Sequence, residues 1–364
     1  MNTPSRAERI EGLVRPQIRA LNAYHVPPAT GLLKLDAMEN PHPWPGDLEA
    51  PWLERLRGVQ LNRYPLPQAD ELAAALARQA GVPPGFGLLL GNGSDELIQL
   101  LDICLARPAA SVLLPAPSFS MYGLIARVLG LEVVEVPLRA DFGLDVPAML
   151  AAMQQHRPAL TYLSCPNNPT ANLFAAADLR ALIAAAPGLV VVDEAYFPFA
   201  GRSVLPWLLE FDQLLVLRTL SKVGLAGLRL GYLIGHRDWL REFDKARLPY
   251  NISSLTQISA QFALEHADRL AAEAARIRED RAVLLQALAG ISSATVYPSD
   301  TNFVLLRLSP GQASRVHGAL REAGILVKNV HGSHPVLAEC LRLTVGTAAE
   351  NRALVTALRT QLQD

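Results

Sequence analysis

The chain has 364 residues, half of them hydrophobic, and a formal net charge of −1. That length suits one large and one small domain with ample core. Near-neutral charge without a basic run excludes the electrostatic footprint of a nucleic-acid binder. Its apolar stretches, broken by Pro187 or by charges, fall short of the roughly 20 residues a membrane helix needs.

Residues 1–50 are proline-rich and read as an arm laid over something larger, with a short helical stretch near 5–21 and one strand in LLKLD. No apolar signal core opens the chain, and Cys104, Cys165 and Cys340 are widely spaced and odd in number. Both features predict a soluble, cytoplasmic protein with free thiols. A proline-bounded turn carrying Tyr64 follows, then a helix opened by Asp70 and Glu71 and stopped by Gly81.

In LLLGNGSDELIQLLDICLA (88–106) a strand-like triplet runs into Gly91-Asn92-Gly93, and Ser94 caps a helix with Asp95 and Glu96 in its first turn. A glycine turn at a helix N-terminus presents free N–H groups to an anion. By itself this is equally an ordinary strand–helix junction, because neither GxxxxGK[ST] nor GxGxxG is present.

Strands are then predicted at SVLLP, VVEVP and ALTYLS, the first followed by a turn bearing Phe119 and Tyr122, the last by CPNNP. LVVVD ends in Asp193 with Glu194 and Tyr196 close behind, and LLVLRT (214–219) runs into Ser221 and Lys222. Gly224, Gly227 and Gly231 are read as a close-packed loop around Arg229. Successive strands thus deliver Asn168, Asp193 and Lys222, spaced 193 − 168 = 25 and 222 − 193 = 29 residues apart. Those intervals fit strand–crossover–strand units, so a mainly parallel α/β sheet is expected, with its ligand beyond the carboxyl ends of the strands. After Gly235 the pattern turns helical to about 289, and a smaller α+β unit closes the chain. The expected division is an arm (1–50) associated with the small domain, a large domain (51–275) and a small C-terminal domain (276–364).

The residues gathered by this topology suit one chemistry. A lysine amine forms a Schiff base with an aldehyde, a carboxylate such as Asp193 keeps a pyridine nitrogen protonated, and hydroxyls with Arg229 hold a phosphate. Taken alone, Lys222 is also compatible with a surface lysine after a strand.

CPNNPT, DEAY and TLSKVGLAGLRLGY resemble the fold-type I pyridoxal-phosphate aminotransferases. Together with NRYP, GNGSDE, PAPSFSMY and LRLTVGT they are similar to the histidinol-phosphate aminotransferase family, from about Tyr24 to the end. The resemblance implies a pyridoxal 5'-phosphate enzyme that moves an amino group from L-histidinol phosphate to 2-oxoglutarate. It implies catalytic roles for Lys222, Asp193 and Tyr196, with Lys222 as the Schiff-base lysine and Asp193 as partner of the ring nitrogen. Asn168 and Tyr196 are implied at the ring's 3-oxygen and Phe119 on its face, with Gly93, Ser94, Asp95, Ser221 and Arg229 around the phosphate. Tyr64 is implied to reach that phosphate from a second subunit, hence a homodimer. Arg342 is implied as the anchor for the substrate's acid group, with Tyr24, Asn302 and Lys328 lining the substrate pocket.

Four departures stand out. Phe119 replaces a common tyrosine, the loop from Lys222 to Arg229 is one residue shorter than in some members, and Lys328 replaces an arginine that forks onto phosphate. Ala171 replaces a glycine, so the turn there is expected to avoid positive φ. The rival activities are an aromatic aminotransferase and a decarboxylase of a phosphorylated amino acid. A transcriptional regulator is a third, disfavoured because no helix-turn-helix precedes the core. His331 and His334 lie in a Gly/Ser/Pro loop without paired ligands, so no metal is expected.

Overall fold

A computed structural model describes residues 5–23 and 26–362. Seven strands form a large sheet: β2 (Phe86–Asn92), β3 (Ser111–Ala116), β4 (Glu132–Pro137), β5 (Leu160–Ser164), β6 (Leu189–Asp193), β7 (Leu214–Thr219) and β8 (Leu230–His236). A smaller sheet takes β1 (Leu33–Leu35), β9 (Ala294–Val296), β10 (Phe303–Leu308), β11 (Ile325–Asn329) and β12 (Cys340–Thr344). Their orders are β2-β8-β7-β6-β5-β3-β4 and β1-β11-β12-β10-β9.

The large sheet is covered on both faces. Along β7, Leu214 and Val216 enter one apolar cluster and Leu215 and Leu217 the other. That two-sided burial explains why its strands read as continuous apolar runs rather than alternating ones. β3 to β7 pair in parallel, whereas β8 is antiparallel to both its neighbours, β2 and β7. Sequence reading assigned Gly231 to a loop; it lies inside β8, opposite Gly91 of β2. Neither glycine has a strand former's side chain, and the reason is close approach. A Cβ on Gly231 would stand 2.6 Å from the backbone nitrogen of Ser94.

The chain order reverses at β3, which lies between β4 and β5. Hydrogen-bonded pairing of β3 with β5 runs only over Val112 and Leu113. Further along, Pro115 offers no N–H to a neighbour. The loops that follow these two strands carry Phe119 and Asn168, at the switch point where such sheets bind ligands.

The arm enters the small sheet itself: Leu33, Lys34 and Leu35 pair in parallel with Ile325, Leu326 and Val327. A helix at Gly46–Arg57 escaped the sequence reading because Pro51 falls inside it, where proline ordinarily breaks a helix. Tertiary contacts hold it, with Trp52 Nε1 donating to Ser259 Oγ at 2.9 Å and Arg55 paired with Glu265 at 2.6 Å. Residue 275 lies within one continuous helix, Ala267–Ala289, whose Ala274, Ile277, Leu284 and Leu288 pack into the small sheet's core.

Ala171 overturns its expectation. It adopts φ +67°, fully buried, and its N–H donates to the Asn167 carbonyl at 2.9 Å. The surrounding turn imposes a left-handed conformation that alanine tolerates at a cost of about 1–2 kcal/mol.

Candidate active site

Two adjoining cavities lie at the carboxyl ends of the large sheet's strands, sharing Met38, Phe119 and Asn168. The first, about 390 Å³, is lined by Ser94, Asp95, Asp193, Tyr196, Ser221, Lys222 and Arg229 among others. The second, about 360 Å³, is lined by Lys328, Arg342, Asn329, His334 and Arg127.

At one end of the first cavity the helix Ser94–Leu105 begins at Gly93 without a side-chain cap, so its leading N–H groups face an anion site. Gly93 has φ +84°, and a Cβ there would stand 2.6 Å from Arg229 Nη2. The glycine lets the guanidinium lie against the turn. Arg229 itself is left-handed, at φ +50°. Ser221 completes this end, its Oγ accepting from Thr219 Oγ1 at 2.8 Å. Burial raises the carboxyl of Asp95, opposed by Arg229 and Lys222, and its Oδ1 has no partner among the described residues.

Asp193 also lines this cavity. One oxygen accepts from Tyr122 Oη at 2.7 Å and the other from the Ala195 N–H at 2.9 Å. Burial nonetheless raises it to about 6, since two donors only partly replace water. Lys222 Nζ lies 3.4 Å from the Ala37 carbonyl and 5.8 Å from the Tyr196 ring centroid. Burial, with Arg342 and Arg229 adding repulsion, lowers its amine to about 8. Tyr196 is buried, its hydroxyl 3.1 Å from Met38 Sδ.

Arg342 and Lys328 stand directly opposite one another on β12 and β11 and both line the second cavity. Arg342 donates from Nη1 to Asn168 Oδ1 and from Nη2 to the Asp36 carbonyl, each at 2.7 Å. The cavities are thus joined by a buried hydrogen bond.

Several expected residues fall elsewhere. Asn302 lines neither cavity; it is fully buried and donates to the Met38 carbonyl at 2.9 Å, shaping the arm's wall. Tyr64 is 81% exposed, stacked on Tyr250 with centroids 4.6 Å apart, and lines neither cavity of its own chain. Tyr24 lies outside the described residues. His331 and His334 accept the N–H groups of Glu339 and Val336.

The arm's contribution was missed. Ala37, Met38 and Glu39 line the first cavity, with Glu39 ion-paired to Lys34 at 2.8 Å. No periodicity marks a three-residue strand leading into a proline loop. Tyr122 was seen in the sequence but given no role; its position three residues after Phe119, on the helix Ser120–Leu129, was the available signal.

The residues present fit pyridoxal phosphate. An uncapped helix start with Arg229 suits a phosphate, a buried amine lowered to about 8 suits an aldehyde, and a buried carboxyl suits a pyridine nitrogen.

The family model for aminotransferase class I and II matches residues 34–358. The chain belongs to that family. It is 51% identical over 352 residues to a histidinol-phosphate aminotransferase of Nitrosococcus oceani, covering 97% of this chain and 98% of the relative. To one from Ralstonia nicotianae it is 52% identical, over 99% and 97%. Among aminotransferases of solved structure, the histidinol-phosphate aminotransferase of Sinorhizobium meliloti in complex with pyridoxal-5'-phosphate superposes with a TM-score of 0.83. That match has 25% identity and covers 96% of this chain and 98% of the other. The fold is that of the fold-type I pyridoxal-phosphate aminotransferases. No described helix is long and apolar enough to cross a membrane.

Proposed function

We propose that this aminotransferase moves the amino group of L-histidinol phosphate to 2-oxoglutarate, giving imidazole-acetol phosphate and L-glutamate, with pyridoxal 5'-phosphate as cofactor. The observation that carries the reading is the pair of joined cavities. One collects Lys222, Asp193 and Arg229, and the other presents Lys328 and Arg342 side by side.

Gly93, Ser94, Asp95, Ser221 and Arg229 would hold the cofactor's phosphate. Phe119 would lie on its ring, with Asn168 and Tyr196 at the phenolic oxygen and Asp193 at the nitrogen. When bound, pyridoxal phosphate supplies the aldehyde and an electron-accepting ring. The chain supplies proton transfer and orientation. Lys222 Nζ, held near neutrality by burial, is the base for the substrate Cα proton and carries it within the cavity. Asp193 holds the proton at the ring nitrogen, and its two donors keep the carboxylate aimed.

Arg342 binds phosphate in one half-reaction and carboxylate in the other, as a planar fork suits either anion. Lys328 adds a point charge beside it, which favours the dianionic phosphate. The two cations that Lys328 and Arg342 place side by side in the second cavity favour a donor with a phosphate over an aromatic amino acid.

The same reading makes the enzyme a homodimer. Leu61, Tyr64, Leu66 and Leu248 are all more than 60% exposed, an apolar load that a second copy would cover while Tyr64 reaches its phosphate site. On this reading the arm through residue 50, the large unit 51–275 and the small unit 276–364 would be the parts of the enzyme. Three free cysteines, two of them buried, support a cytoplasmic location.

The deciding experiment titrates the purified holoenzyme separately with L-histidinol phosphate, L-phenylalanine and L-glutamate while following the visible band of lysine-bound cofactor. Loss of that band at low histidinol phosphate is expected. Loss only with phenylalanine and glutamate would make the enzyme an aromatic aminotransferase, and absence of the band after added cofactor would overturn the cofactor assignment.

A further inference from the structure

Behind Asp193 runs a buried row of polar groups that amino transfer itself does not use. Tyr122, which donates to Asp193, stacks on Tyr162 with centroids 4.6 Å apart and planes 4° from parallel. Phe119 meets Tyr122 edge-on at 5.4 Å and 84°. Tyr162 in turn donates to Asp102 Oδ1 at 2.8 Å, on the helix whose N-terminus begins at Ser94. Tyr122, Tyr162 and Asp102 are all fully buried, and Asp102 Oδ2 has no partner among the described residues.

We infer that Asp102 and Tyr162 are positioning residues for Asp193, fixing the Tyr122 hydroxyl on its carboxylate through the ring stack. This rests on Asp193 being the group that faces the cofactor's ring nitrogen. A carboxyl enclosed in an apolar core costs stability, and leucine with phenylalanine would fill the same space without that cost. Burial raises Asp102 to about 7 and holds both tyrosines well above their ordinary values, so the tyrosines remain neutral donors.

The geometry gives the polar pair a task. Rocking of Tyr122 about its Cα–Cβ bond would draw its hydroxyl away from Asp193. Phe119 packs edge-on against the Tyr122 ring, and the Tyr162 ring, tethered by Asp102, packs parallel to it, so both resist that motion. The same tether joins β5, which leads to Asn168, to the helix that begins the phosphate cup. Asp193 and the helix of the phosphate cup are therefore linked through two hydrogen bonds and the ring stack between them. The other charged groups acting on Asp193 are Asp95 and Glu194, neither of which touches the stack.

The test compares holoenzymes of the parent, Tyr162→Phe, Asp102→Leu, Asp102→Asn and Asp193→Asn. Three readouts are taken: the pH midpoint of the bound cofactor's visible band, kcat and KM, and the Tm. Tyr162→Phe keeps the stack but loses the tether, and Asp102→Leu removes the nearer acceptor, leaving the Ile98 carbonyl at 3.3 Å. Both are expected to move the midpoint in the same direction as Asp193→Asn and lower kcat about threefold to tenfold with KM unchanged. Asp102→Asn keeps an acceptor oxygen and is expected to stay near the parent. An unchanged midpoint and kcat in Tyr162→Phe, whatever its Tm, would overturn the positioning role, and this variant decides even if Asp102→Leu fails to fold. If Asp193→Asn shifts the midpoint while Tyr162→Phe does not, only the remote pair is lost. If Asp193→Asn leaves it unmoved, the assignment of Asp193 falls as well.

Discussion

Arg342 of the small sheet donates to Asn168, in the loop after β5 of the large one, across 2.7 Å, and this bond joins the two cavities. Asn168 is fixed from one side by an arginine whose second nitrogen is committed to the Asp36 carbonyl. On the proposed reading, substrate anchoring and cofactor orientation are therefore not independent.

Arg342→Lys tests that relationship. A lysine has one nitrogen where the fork uses two, so it cannot serve Asn168, Asp36 and a substrate anion together. The expected outcome is a drop in kcat/KM of at least about a hundredfold, from the loss of about 3 kcal/mol of charged hydrogen bonding. Lys328→Ala, by contrast, should raise KM for histidinol phosphate while leaving that for L-glutamate within about twofold. Steady-state kinetics with both substrates separates the two; equal effects on both substrates would remove Lys328 from phosphate selection.

Lys222→Ala should abolish turnover and the visible band of bound cofactor together. The substitution removes the only lysine lining the first cavity among the described residues. Normal activity in this variant would end the assignment.

The Lys222 amine carries a pH signature. Its value is lowered to about 8, so above that pH the neutral, nucleophilic form dominates, whereas a lysine at its ordinary value of 10.5 stays protonated. Apoenzyme exposed to an amine-directed reagent should therefore label Lys222 with a midpoint near pH 8, read by peptide mass spectrometry. A midpoint near that of an ordinary lysine would show that burial does not tune the base.

Behind the site, Arg218 and Glu194 are each under 4% exposed and paired at 2.8 Å, with the guanidinium 3.9 Å from the Phe197 ring centroid. Arg218→Met should destabilise the protein by about 3–5 kcal/mol, because it leaves the Glu194 carboxylate buried without its cation. Chemical denaturation measures this, and a cost below about 1 kcal/mol would mean that water reaches Glu194.

Much of the site was legible from residues in order. Apolar runs ending in Asn168, Asp193 and Lys222 specify parallel strands, and strands buried on both faces must be apolar throughout. The helix Asp70–Ala80, stopped by Gly81 at φ +70°, could be read for a similar reason, since its signals are local to the chain. Other features depended on neighbours absent from any short window. Gly231 looks like a loop residue until Ser94 is found against it, and Pro51 looks like a helix breaker until Trp52 and Arg55 are found docked. The left-handed Ala171 follows from a turn closed on Asn167, not from alanine's own preference. Composition and pattern by themselves determined the strands and the candidate chemistry, because those rest on side-chain type and sequential spacing, and the resemblance of the chain's motifs pointed to the family. Only the tertiary structure decided that Asp193 answers to Tyr122, that Arg342 holds Asn168 and that the arm walls the cavity. Those relationships join residues far apart in the chain, and packing brings them into contact.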